Sequence, residues 1–215
     1  MLHLPTLKPG DPALRKNDED FGALNICTAG PWFCFALAVL LSHAVWAAET
    51  MTYQEALEKT DPSRVGYLEP GSALERAALD RFADLVAEMS PERIRAKARG
   101  VYAAEAYFND TLKELVGADA IEEYLAHSME ATESVRVVVD DISSANGDYY
   151  VRWTMDIRFK NYNQGRIARS VGISHLRFDT EGKIILHKDF WDAAGGLYEY
   201  LPVLGGVMRW IKSRL

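Results

Sequence analysis

The hexapeptide HKDFWD, residues 187–192, places two carboxylates, a histidine and two aromatic rings at the end of a segment that alternates like a β-strand. Alternation puts Ile185, His187, Asp189 and Trp191 on one face and turns Phe190 and Asp192 to the other. A carboxylate beside an indole loses hydration, its pKa rises, and it can then serve as a general base. Asp189 is one candidate base where this face lines a pocket; the alternative for the same face is a dimer surface. Asp192 has a different reading, as the cap of the helix that follows.

A second acidic candidate stands in AYFNDT, where Asp110 follows Tyr107 and Phe108. Asn-Asp-Thr is also a turn sequence, in which the aspartate bonds nearby backbone amides, so pocket and turn are both open for Asp110. The histidines His127, His175 and His187 show no neighbouring His/Glu spacing of the metal-site kind. Neither a metal nor another cofactor is expected.

These side chains must be held by the elements around them. Leu74, Ala78, Phe82, Leu85, Val86 and Met89 recur at helical spacing behind Ser72 and Glu75, which read as a capping box. Ser90-Pro91-Glu92 opens a second helix that Gly100 ends. Asp119 and Glu122 open a third, carrying Ile121, Tyr124, Leu125 and Met129 with His127 beside them. A brief extended piece spans Ala104 to Phe108, between the second and third helices.

Beyond the third helix the period becomes two. Strands over about 134–143, 149–160, 166–179 and 183–191 are joined by Asn146-Gly147, Asn163-Gln164-Gly165 and Thr180-Glu181-Gly182. A closing amphipathic segment runs from Leu197 to Ile211. Val151, Trp153, Met155, Ile157 and Phe159 form one apolar strand face, opposite Arg152, Thr154, Asp156 and Arg158. Helices followed by an antiparallel meander predict an α+β fold, with N-terminal helices packed on the concave face of a strongly curved, mainly antiparallel sheet. Such a sheet leaves a cone-shaped pocket suited to a small molecule, and its second face suits a second copy in a homodimer.

The net charge of −7 and scattered basic residues leave no stripe for phosphate contacts, so nucleic acid is excluded as a partner. Residues 1–50 differ from the rest. Pro31 to Thr50 holds an apolar run of signal-peptide length ending in Val45-Trp46-Ala47 before Ala48, which predicts export to the periplasm or beyond. Asp18-Glu19-Asp20 lies where such a signal carries positive charge, and a start at Met51 would leave the protein in the cytoplasm. Membrane contact is expected only through this segment. Both cysteines, Cys27 and Cys34, lie inside it. Pro62, Gly66, Pro70 and Gly71 mark residues 51–71 as a linker, so the domain is expected over 72–215.

Over about residues 72–215, the order of elements with VYAAEAYFNDT, GADAIEEYL, SHLRFDTEGKI and HKDFWD resembles the SnoaL-like branch of the nuclear transport factor 2 superfamily. That resemblance implies a cone fold shared by isomerases, cyclases, dehydratases, epoxide hydrolases and many binders without chemistry. It places Asp110 at the base position of ketosteroid isomerase, an enzyme that works through carboxylates tuned by their surroundings. Phe82 and Ser174, however, fall where that enzyme's oxyanion-holding tyrosine and aspartate would be. Against the epoxide hydrolases, Asp189 and Asp156 fall at the two aspartate positions and Thr154 near the arginine. Both constellations are incomplete. The resemblance implies a pocket taking a small, largely apolar ligand, lined by Tyr107, Phe108, His127, Trp153, Ser174, His187 and Trp191. Its alternative is a carboxylate enzyme using Asp110 or Asp189.

Overall fold

The computed structural model describes residues 51–161, 166–201 and 203–215. The apolar segment with Cys27 and Cys34, and the turn Asn163-Gln164-Gly165, lie outside the described residues.

Residues 51–71 are not a linker. Thr52 and Glu55 form a reciprocal capping box that starts α1 (Tyr53–Lys59), and Asp61 with Pro62 at the first position starts α2 (Pro62–Val65). Ala56 on α1 is fully buried against Tyr107 and Leu186, and Leu68 joins the principal core. The Pro and Gly positions signal the turns between these pieces. What they cannot signal is one short helix with an apolar side, because seven residues give too little periodicity to detect.

Three longer helices follow. In α3 (Ala73–Ala87), Ser72 Oγ accepts from the Glu75 amide, as the capping box requires. The Glu75 carboxylate instead reaches the Gly71 amide and receives the Tyr149 hydroxyl. After the two-residue strand β1 (Glu88–Met89), α4 (Pro91–Val101) starts at its Ser90 cap and runs through Gly100. Strands β2 (Tyr102–Asn109) and β3 (Glu114–Val116) precede α5 (Ala118–Met129). Gly117, not Asp119, occupies the N-cap of α5; Asp119 pairs with Arg99 on the surface.

The long strands are β4 (Thr132–Ala145), β5 (Asp148–Phe159), β6 (Ile167–Phe178) and β7 (Ile184–Trp191). With β1, β2 and β3 they make one seven-stranded sheet in the order β1-β4-β5-β6-β7-β2-β3, antiparallel except where β2 meets β7. The sheet is strongly curved, in an α+β cone fold with the helices before the meander. Asn146 and Gly147 both have positive φ in the β4–β5 turn, the left-handed pair that matches strand twist. After α6 (Ala193–Gly196), the closing segment divides into a 3₁₀ turn (Tyr198–Tyr200) and α7 (Leu204–Lys212).

The two faces of the sheet differ as the β5 alternation predicts. The inner face carries Val151, Leu176, Phe178 and Ile184, and these pack with Phe82 and Leu85 of α3, Ile94 and Ala98 of α4, and Ile121 and Leu125 of α5. On the outer face α1 lies over the β2–β7–β6 end. There Tyr53 Oη meets His175 Nδ1 at 2.7 Å, and Arg177 donates to the Leu57 carbonyl at 2.8 Å. No helix of the described residues is long and apolar enough to cross a membrane.

Candidate functional site

Beyond the packed core, the inner face opens into a cavity of about 230 Å³. Its walls are Phe82, Leu85 and Val86 from α3, Leu125 and Met129 from α5, and Val135, Val137, Met155, Ile157 and Phe159 from the strands. At one end the lining turns polar: Tyr102, Asp110, Tyr124, Ser174, His187 and Asp189, with Trp153 and Trp191 beside them.

Register explains the polar end. Ser174 on β6 pairs directly with Asp189 on β7, and Trp153, Gly172 and Trp191 line up across three strands one pair along. Facing positions on one side of a sheet bring side chains into contact. Gly172 is required between the indoles, because a Cβ there would lie 2.5 Å from the Trp153 ring and 2.8 Å from Trp191 Cβ. Below this row the β6–β7 register shifts, Ile185 is left unpaired, and Ile184 takes the inner face instead. Strict alternation assigns Ile185 to that face; the bulge is invisible to a period-two count.

The hydrogen bonds at this end run in one direction. Trp153 Nε1 donates to Ser174 Oγ at 2.9 Å, and Ser174 Oγ donates to Asp189 Oδ1 at 2.5 Å. Tyr102 Oη lies 2.8 Å from His187 Nδ1, and His187 Nε2 lies 2.9 Å from the same Asp189 oxygen. Tyr102 is fully enclosed and Nδ1 is its only hydroxyl partner among the described residues, so its proton must point there. That makes Nδ1 an acceptor and leaves Nε2 carrying the hydrogen given to Asp189. Both arms thus converge on Oδ1, while Oδ2 accepts no hydrogen bond among the described residues and Asp189 keeps 16% exposure of its side chain.

Asp110 is held differently and fills both roles the sequence left open. Its Oδ1 accepts from the amides of Leu112 and Lys113 at 3.0 and 2.8 Å, a turn role, and its Oδ2 accepts from the Tyr124 hydroxyl at 2.6 Å inside the cavity. The turn is strained at Thr111, a β-branched residue with φ of 80°. Thr111 Oγ1 reaches the Asp189 carbonyl at 3.0 Å, and Trp191 Nε1 donates to the Asp110 carbonyl at 2.8 Å, so turn and strand end are tied together. Burial pushes the Tyr102 hydroxyl well above its ordinary range, and the charges of Asp189 and Asp110 push further. Burial and the hydrogen bond to Asp110 do the same to Tyr124. Both tyrosines therefore stay protonated donors.

Of the residues expected from sequence, Asp110, Asp189, Phe108, Trp153, Ser174, His187 and Trp191 line the cavity. Three do not. Asp156 is on the outer face, where it receives Arg169 through two nitrogens at 2.7 and 2.8 Å; inner and outer positions alternate, and the apolar set of β5 claims the inner ones. Tyr107 is buried against α1 on the other side of β2 and donates to Glu114 at 2.8 Å. His127 is on the solvent side of α5, 75% exposed and 3.2 Å from Glu130. Reasoning from sequence misses Tyr102 as a site residue and reads Tyr124 only as part of a helical stripe. Tyrosine at a helix-to-strand junction and on an apolar stripe gives no signal of where its hydroxyl goes. Among the described residues no group of three or more His, Cys, Asp or Glu could hold a metal.

A family model described as a SnoaL-like domain matches residues 79–187, half of the chain. Among curated proteins there is no significant match. Solved structures to which the chain is similar include an NTF2-like protein of unknown function from Exiguobacterium sp. 255-15, at 18% identity over 54% of this chain and 98% of that one, with a TM-score of 0.45. The LEH-like epoxide hydrolase of M. tuberculosis is 12% identical over 67% and 99%, with a TM-score of 0.48. An NTF2-like protein of unknown function from Burkholderia pseudomallei is 14% identical over 57% and 94%, at 0.49. Likeness at these identities concerns the fold alone.

Proposed function

The chain belongs to the SnoaL-like domain family, and from that premise we propose that its cavity binds a small, largely apolar molecule whose one polar end seats against Asp189. The observation that carries this is the free Oδ2 of Asp189 at the polar end of an otherwise apolar cavity. An apolar body gains by leaving water, roughly 25 cal/mol per Å². A polar group at this end gains only if it finds a partner, since an unpaired buried group costs about 1–3 kcal/mol. Asp189 supplies that partner.

A second reading rests on the same carboxylate. Donors converging on Oδ1 fix the plane of Asp189 and leave Oδ2 to take a proton from a bound substrate, which is how a general base is held. Asp110, with three hydrogen bonds already on its oxygens, is the less available of the two. In this reading Asp189 is the base of a lyase, isomerase, cyclase or hydrolase reaction, and Asp189→Asn abolishes turnover.

The outer face supports a second proposal, self-association as a two-fold dimer. Val138, Val171 and Ile173 are 46%, 59% and 41% exposed across β4 and β6, away from α1. Around them Arg136, Arg152 and Arg169 alternate with Asp140 and Asp156. A patch of both signs around an apolar centre is self-complementary, so the occupant is another copy.

The experiment for the binding reading follows the indole N–H signals of Trp153 and Trp191 by NMR while small apolar compounds, with and without one polar group, are added. Saturable shifts of both signals are expected. A panel that moves neither indole overturns the reading.

A further inference from the structure

Among the described residues, the polar end of the cavity has no side-chain donor to offer. Each side-chain N–H or O–H in its lining is already spent on the protein: Trp153 on Ser174, Ser174 and His187 on Asp189, Tyr102 on His187, Tyr124 on Asp110, and Trp191 on the Asp110 carbonyl. Ser128 and Thr132, farther along, donate to the carbonyls of Tyr124 and Met129. Among the described residues no lysine or arginine lines the cavity. Lys188, nearest in sequence, turns to the outer side, where Asn109 accepts from it at 2.7 Å and its ammonium lies 5.2 Å from the Phe190 ring.

Nor does His187 hold a spare donor, since its Nδ1 accepts from Tyr102 and its Nε2 hydrogen goes to Asp189. Among the described residues, the end of the cavity therefore holds two carboxylates and no lysine or arginine, beside the aromatic side chains of Phe108, Tyr124, Trp153 and Trp191. Carboxylates and aromatic faces both attract positive charge. An anionic or oxyanionic group would meet like charge and no free donor.

We infer that the ligand's polar end is a cation, an ammonium group on an apolar body, held by Asp189 and Asp110 among aromatic side chains. This rests on the reading that the cavity is the binding site and names the chemical class of its occupant. A base-catalysed reaction in the same site would take a proton from a cationic substrate and leave it neutral, because an enolate or alkoxide finds nothing to stabilise it there.

The test compares four probes of one shape on the native protein at neutral pH, by calorimetry and by the two indole signals: benzylamine, benzyl alcohol, toluene and benzoate. Benzylamine is expected to bind at least about tenfold more tightly than benzyl alcohol, about 1.4 kcal/mol, with benzoate weakest of the four. In Asp189→Asn the amine-to-alcohol ratio falls toward one. Benzyl alcohol or benzoate binding as tightly as the amine overturns the inference while leaving the cavity a binding site. Failure of all four to move either indole removes the binding reading, and this inference with it.

Discussion

The Tyr102 hydroxyl donates to His187 Nδ1 across 2.8 Å, and that one contact decides which imidazole nitrogen carries the hydrogen given to Asp189. A tyrosine at the first residue of β2 thereby sets the tautomer of a histidine 85 residues away on β7.

Replacing Tyr102 with Phe keeps the ring and removes the donor. His187 Nδ1 is then an unsatisfied buried acceptor, at about 1–3 kcal/mol. Urea denaturation should show that loss, and the imidazole ¹⁵N shifts should move from one tautomer to a mixture. Native stability with unchanged shifts would mean that the contact does not fix the ring.

The N-terminal helices belong to the domain, so where the chain is cut matters. A chain beginning at Met51 should melt cooperatively. One beginning at Ser72 uncovers Tyr107 and Leu186 and strips His175 and Arg177 of Tyr53 and Leu57, with a loss of at least about 3 kcal/mol. Equal melting of the two would return residues 51–71 to the status of a linker.

The long, periodic elements are legible in the sequence because each carries many repeats of its pattern: the β5 alternation from Val151 to Phe159 locates the inner face, and with it the cavity wall. Short elements are not, as α1 and β3 show. The site divides along the same line. Asp189, His187 and Trp191 can be placed on one face because alternation decides facing. Tyr102 cannot, because its role depends on a partner in another strand. Asp156 is misplaced for a related reason: a family position transferred without its strand register lands on the wrong side of the sheet, and a one-residue error reverses every side chain.

Burial lowers the pKa of His175 despite the neighbouring Asp148 carboxylate. The native state thus binds this proton less readily than the unfolded chain. His175 supplies stability that is full above its ordinary value near 6.5 and is lost as pH falls below it. Asp148 behaves in the same direction at lower pH: burial opposes its charge, yet the hydrogen bonds from Arg177 and His175 prevail and lower its pKa, so its contribution goes as pH falls through the acid range below 3.8. Denaturation midpoints measured from pH 8 down to about 5 should decline below the usual imidazole range, and His175→Gln should flatten that decline. Parallel profiles would assign the decline to other groups.

Asp156→Asn provides the contrast to Asp189→Asn. The first breaks an exposed pair with Arg169 on the outer face and should leave probe affinity at the native value with little change in melting. The second should weaken benzylamine severalfold, since it removes a charged acceptor from the cavity end. Weakening by Asp156→Asn of equal size would move the site to the outer face.

For the dimer, light scattering at micromolar concentration should give twice the chain mass. Val171→Lys, at the centre of the open outer face, should halve it without loss of fold. A monomeric native protein rules the proposal out.

The most direct measurement is a crystal structure of the native protein with whichever of benzylamine and benzyl alcohol binds more tightly. The ring is expected between Phe108 and Trp153, with the nitrogen or oxygen about 2.6–3.2 Å from Asp189 Oδ2. A probe seated with its polar atom away from Asp189, or found on the outer face of the sheet, would contradict a binding site built on that carboxylate.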